Sequence, residues 1–135
     1  MQFGINDSAI DVWKKPPATG PRVPLSDYLE NLRAMIDSAR QQKAQVILMT
    51  TNPLRWTPKL KDLYGKPPYV ANADDGFDSP TLAGYNDALR KLANELRVPL
   101  VDLRAAYPAF AAKHATTVDG LLLEVEPLEG GAVDY

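Results

Sequence analysis

Near the start of the chain, Gly4-Ile5-Asn6-Asp7 follows Met1-Gln2-Phe3, a short run of strand character. A glycine turn with a carboxamide two residues later sets a short polar side chain at the end of this run. The same four residues also read as a local turn, bent at Gly4 and capped by Asn6 or Asp7. Other groups able to do nucleophilic or acid–base chemistry are sparse. Ser8, Ser26, Ser38 and Ser79 stand in no Gly-x-Ser-x-Gly elbow, and Ser8, beside Asn6, reads as a turn or cap residue. The single histidine, His114, falls at the expected end of a helix, where an imidazole complements the helix dipole and faces solvent. The chain has no cysteine, so it offers no thiol nucleophile, thiolate metal site or disulfide framework, and its redox compartment stays open. One histidine also argues against a zinc site.

The elements that must position these groups follow from the apolar spacing. Leu25, Leu29, Leu32, Ile36 and Ala39 form the stripe of an amphipathic helix over about 25–43. Gln45 to Thr51 is a short, nearly continuous apolar run rich in β-formers, as expected of a central parallel strand covered on both faces. Ser79-Pro80 announces a second helix, with Ser79 as candidate N-cap and Pro80 preset for the first turn. Its stripe is Leu82, Tyr85, Leu89, Leu92 and Leu96. Val98 to Leu103 predicts the next strand, and Arg104 to His114 a further helix made irregular by Pro108. Strands alternating with helices in this order predict an α/β domain with a parallel sheet and right-handed crossovers. Sites in such folds gather at the carboxyl ends of the strands. Three segments stand there: Gly4 to Ser8, the turn Asn52-Pro53-Leu54-Arg55-Trp56, and the stretch after the last strand. The connection from Pro53 to Ser79 is long for a βα loop. Its Trp56, Tyr64, Tyr69 and Phe77 either wall a substrate cleft or pin the loop to the domain.

Composition removes several classes of function. A formal net charge of -2, with both signs interspersed, provides no basic face for nucleic acid. No stretch approaches the roughly 20 apolar residues of a membrane span. Met1-Gln2-Phe3 is shorter than the usual strand of about five or six residues, so the chain reads as beginning inside an element. From Asp119 onward five acidic residues, Asp119, Glu124, Glu126, Glu129 and Asp134, occur with no Lys or Arg, a change from the mixed body.

In order and spacing these segments resemble the SGNH (GDSL-type) ester hydrolases. Gly4-Ile5-Asn6-Asp7 is similar to that family's Gly-x-Asn-Asp block. Val46 to Asn52-Pro53 is similar to the strand that follows it, Tyr85-Asn86 to a helix with a Tyr-Asn core, and Val98-Pro99-Leu100-Val101-Asp102 to the strand before the catalytic loop. The resemblance runs to about Leu123, dividing the chain into a partial SGNH hydrolase-like domain, 1–123, and an acidic tail, 124–135. It implies a three-layer α/β/α flavodoxin-like sheet whose N-terminal strands are missing. It also implies Asn6 as an oxyanion donor, with Asn52, Arg55 and Trp56 as substrate-binding residues. No metal or organic cofactor is implied.

The departures bear on activity. The family's nucleophile sits in a Gly-Asp-Ser block that precedes the Asn block, and a second block supplies a glycine donor; neither is present. The last block, Asp-x-x-His-Pro, aligns through Pro127 with Glu124-Val125-Glu126-Pro127, which sets Glu126 where the imidazole belongs. A carboxylate of ordinary pKa, about 4.3, deprotonates serine poorly, so no base is carried onto Glu126. The reading is therefore an ester hydrolase acting on acyl lipids or acylated sugars, represented by an incomplete chain that is inactive alone. The alternative is a non-catalytic module that binds a small molecule or protein on the same fold. The expected partner is a small-molecule ester, and loss of flanking strands would expose a sheet edge prone to self-association.

Overall fold

The computed structural model describes residues 1–54, 62 and 80–121. Helix α1, Leu25–Gln41, buries Leu32 and Ile36 of the predicted stripe together with Tyr28, which lies outside that stripe, while Leu25 is exposed. Helix α2, Pro80–Leu96, starts at the proline and buries Leu82, Tyr85, Asn86, Leu89, Leu92 and Ala93. Helix α3, Leu103–Lys113, carries Pro108 in its interior without a break. Proline there removes one intrahelical donor and crowds the preceding turn, yet the expected irregularity does not interrupt the helix.

The three described helices stop in the same way. One residue after each helix cap region enters the left-handed region, Lys43 at φ 58, Arg97 at φ 52 and Ala115 at φ 50. The following N–H then donates back five residues: Ala44 to the Ala39 carbonyl at 2.9 Å, Val98 to Ala93 at 2.9 Å and Thr116 to Ala111 at 3.1 Å. This is the Schellman closure, built without glycine. The first two closures turn the chain directly into the strands.

Strand β1, Leu48–Met49, pairs in parallel with β2, Leu100–Val101, setting Leu48 opposite Leu100 and Met49 opposite Val101. A parallel bridge joins Gln2 to Met49. β1 is thus central, between the N-terminal segment and β2, as the sequence order requires of an α/β domain. Leu48 is fully buried in one cluster with Tyr28, Leu32, Ile36, Tyr85, Leu89, Leu92, Ala93 and Val98, so α1 and α2 cover the same face of the sheet. The expectation of a strand covered on both faces is not met among the described residues. Ile47, on the opposite face, is 50% exposed and Val101 is 41% exposed. An apolar run reports that a strand avoids polar residues, whereas the number of layers laid over it depends on where the helices go. Arg33 and Glu95 tie α1 to α2 through a two-pronged contact at 2.9 and 2.7 Å. Both groups are exposed, so solvent screens the pair and its contribution is small. No described helix is long and apolar enough to cross a membrane.

Candidate active site

The register aligns the carboxyl ends of the three sheet segments, so that Phe3, Thr50 and Asp102 follow the paired row and Gly4, Thr51 and Leu103 come next. Gly4 has φ 116 and is buried. A Cβ at this position would lie 3.4 Å from the Tyr28 hydroxyl and 3.8 Å from the Thr51 methyl group. Glycine is required here by the backbone angle, since a Cβ would meet both neighbours at ordinary contact distance. The turn is closed by Asp7, whose Oδ2 accepts the Gly4 N–H at 2.9 Å. The Ser8 N–H donates to the Gly4 carbonyl at 2.9 Å.

This arrangement divides the two readings of the tetrapeptide between two residues. Asp7 caps the turn, while the exposed Asn6 uses its backbone carbonyl to accept from Ala9 at 3.4 Å. Among the described residues its carboxamide makes no hydrogen bond. Ser8 is buried, and its hydroxyl donates to the Ile5 carbonyl at 3.2 Å, a turn contact rather than a nucleophile's setting.

Helix α2 holds the neighbouring strand end. Asn86, 2% exposed, accepts the Thr51 N–H at 2.9 Å and donates through Nδ2 to Thr51 Oγ1 at 2.9 Å and to the Leu82 carbonyl at 3.0 Å. One residue earlier, Tyr85 donates its hydroxyl to the Val23 carbonyl and tilts its ring against Tyr28 at 5.0 Å. Tyr28 in turn donates to the Phe3 carbonyl at 3.3 Å. Burial pushes the Tyr28 hydroxyl up to about 12, with the negative charge of Asp7 adding to the effect. It is a fixed donor, not a base. Asn52, the next residue along, is half-buried, with only a long contact from Nδ2 to the Pro53 carbonyl at 3.5 Å. Arg55 and Trp56 lie outside the described residues, as do Ser79, Tyr64, Tyr69, Phe77, Glu124 and Glu126.

At the third strand end Asp102 begins α3, its Oδ1 accepting the Ala105 N–H at 3.2 Å. Arg90 of α2 grips the same carboxylate through Nε at 2.8 Å and Nη2 at 3.0 Å. Thr50 Oγ1 donates to it at 2.9 Å while accepting the Arg104 N–H at 3.0 Å. Arg90, then Thr50 and the Ala105 amide, hold the Asp102 carboxyl down at about 2. The clasp joins β1, β2, α2 and α3. Beyond it, α3 and the following turn border an open depression of about 280 Å³ lined by Leu103, Ala106, Tyr107, Phe110 and Leu121.

The order of these parts, an Asn-bearing turn, a strand end stapled by Tyr-Asn, and an aspartate-capped helix after the last strand, is matched over residues 1–125 by the family model described as GDSL-like Lipase/Acylhydrolase. The chain belongs to this family. In a separate comparison, no curated protein matched the chain. In this member of the GDSL-like acylhydrolases, the alignment through Pro127 sets Glu126 at the position of the family's histidine. His114 caps the far end of α3, stacked on Phe110 with ring centroids 4.0 Å apart. Eleven helical residues separate it from Asp102, about 18 Å along the axis. The same Asp-x-x spacing can be counted from Asp119, which opens a 3-10 turn, Asp119–Leu121; it then reaches Leu122. This alignment ends on an apolar side chain that accepts no proton, whereas the alignment through Pro127 ends on the carboxylate of Glu126. Sequence reasoning also overlooked the Asp102–Arg90 clasp, because its partners are brought together only by the packing of α2 over β2. Among the described residues no group of three or more His, Cys, Asp or Glu is arranged to hold a metal ion.

Proposed function

We propose that this chain carries the ester-binding half of a GDSL-like acylhydrolase site, built on a three-layer flavodoxin-like sheet, and that it does not hydrolyse esters by itself. What carries the reading is the Gly4–Asp7 turn. Its glycine is locked by φ 116, its aspartate is used as the cap, and its exposed Asn6 carboxamide is left available to donate. An acyl carbonyl placed there would meet a preorganised donor. Asn52, Arg55 and Trp56 belong to the neighbouring connection and are assigned to the substrate. The acyl group is carried by a lipid or a sugar.

Turnover needs a nucleophile and a base acting as a unit, and the chain has neither a Gly-Asp-Ser block nor an Asp-x-x-His. The purified chain is expected to give no p-nitrophenyl butyrate hydrolysis above the buffer rate, and no labelling by a fluorophosphonate. An inhibitor-sensitive rate would overturn this. In the same sample, glucose pentaacetate is expected to shift the Asn6 side-chain amide resonances in an NMR titration, and Asn6→Ala to abolish only those shifts at that site. The second reading, a binding module that has kept the scaffold without the chemistry, is favoured by the same lack of nucleophile and base. It predicts saturable binding as the end of the story even when a Gly-Asp-Ser peptide is supplied.

Self-association belongs to this reading as well. The N-terminal segment and β2 each show an edge without a strand partner among the described residues, and such edges template pairing. Light scattering coupled to size exclusion should give a mass above 14.8 kDa at high concentration; a monomer throughout would refute it.

A further inference from the structure

The loop that leaves the Gly4–Asp7 turn is fastened at its base. Arg22 N–H donates to the Ala9 carbonyl at 3.0 Å and Val23 N–H to the Asp7 carbonyl at 3.0 Å, so the chain departs from and returns to the end of the sheet that carries Asn6. Inside it, the Asp11 side chain is only 5% exposed and is fully used. Oδ1 accepts from Arg22 Nε at 2.8 Å and pairs with Nη2 at 2.7 Å, while Oδ2 meets Lys14 Nζ at 2.7 Å. Its backbone carbonyl accepts from Lys14 at 3.1 Å and from Ala18 at 3.2 Å. Pro16, Pro17 and Pro21 restrict the remaining backbone. Burying a carboxylate is costly unless its partners are in place, and here they are supplied to hold a loop with almost no apolar core of its own.

What this loop displays is Trp13. The indole is 50% exposed, and Lys14 Nζ, anchored by Asp11, stands 5.7 Å from its ring centroid. The ammonium steadies the ring by a cation–π contact, and half of the side-chain surface remains free. We propose that Trp13 is a stacking platform for a pyranose ring, making the alcohol side of the ester a sugar. A pyranose needs one open aromatic surface with a polar group at its edge, and the exposed Lys14 supplies one beside the ring. A lipid surface needs neighbouring apolar side chains, whereas the residues following Trp13 are two lysines. Fixing the loop in advance lowers the ordering cost of binding.

The word ester rests on the function proposed above; the sugar contact can be tested without it. The chain contains two tryptophans, Trp13 and Trp56; Trp56 is left in place as a proposed substrate contact, and the signal of Trp13 is the part of the emission change that Trp13→Phe removes. Unacylated cellotetraose, xylotetraose and maltotetraose are titrated separately. At least one is expected to shift Trp13 emission saturably, and Trp13→Ala to weaken that binding by calorimetry about tenfold, with Trp13→Tyr staying within about threefold and the circular-dichroism melting curve unchanged. No saturable response to any of the three, or undiminished binding by Trp13→Ala, overturns the proposal. So does a response to phosphatidylglycerol vesicles in place of the sugars. If sugars bind at Trp13 while acylated sugar leaves Asn6 unmoved, the platform stands and the ester reading falls.

Discussion

Asn86→Leu should destabilise the chain by about 3 kcal/mol, although leucine fills nearly the same volume in the same helix position. The estimate comes from the groups left behind. Asn86 accepts the Thr51 N–H and donates to the Thr51 hydroxyl, and Thr51 is itself 1% exposed. An apolar replacement leaves that N–H and hydroxyl buried without their partner, at about 1–3 kcal/mol for each orphaned group. The gain from burying two methyl groups offsets only part of this. Urea unfolding is the measurement: the midpoint should fall with an unchanged slope, since the surface exposed on unfolding stays the same. The Thr51 amide should also lose hydrogen-exchange protection beyond the global change, because the strand end it anchors has lost its tie to α2. A variant as stable as the parent would mean that Asn86 merely fills space, and the account of how the Asn52–Pro53 corner is held would fail.

How much of this was legible in the residues depends on the kind of force involved. The stripes Leu25–Ile36 and Leu82–Leu96 report burial of one helix face, and the helices form where they predict, with Tyr28 and Tyr85 carried into the same core. Gly4 was legible as a turn because only a few residue types tolerate that backbone angle. That Asp7 and not Asn6 caps this turn was not, since both are short polar side chains able to cap. The Asp11–Arg22 and Arg90–Asp102 pairs were invisible for another reason. Apolar periodicity states which side of an element is dry, but a charged residue at the edge of that side can meet any of several partners, and the choice is made by the packing of α2 and by the loop closure at Ala9–Arg22. Ile47 shows the converse limit: an apolar residue in an apolar run, left 50% exposed because both α1 and α2 lie on the Leu48 face.

Lowering the pH should remove stability from this fold mainly between about pH 4 and pH 2, with Asp102 a principal cause. Its carboxyl is held at about 2 against an ordinary 3.8, first by Arg90 and then by Thr50 and the Ala105 amide. A depressed folded-state value means that the unfolded chain takes up the proton first. The stabilisation is therefore complete above the unfolded value and is lost as the pH falls through the folded one. Asp11, held at about 2 by Arg22 and Lys14, follows the same sign and steepens the same acid limb. The side chain of Asp102 is 29% exposed, and its shift corresponds to about 2 kcal/mol at neutral pH. Asp102→Asn should lose this amount at pH 7 and progressively less toward pH 2, where the parent carboxyl is itself becoming neutral. Urea midpoints of both proteins at pH 7, 5, 4, 3 and 2 decide the matter. If the difference persists undiminished at pH 2, the carboxamide has spoiled the geometry at the start of α3, and charge is not what joins β1, β2 and the two helices. If it closes with a one-proton difference in slope, the clasp is electrostatic. The alignment of the three strand ends that carry the candidate site would then depend on a single ionised aspartate.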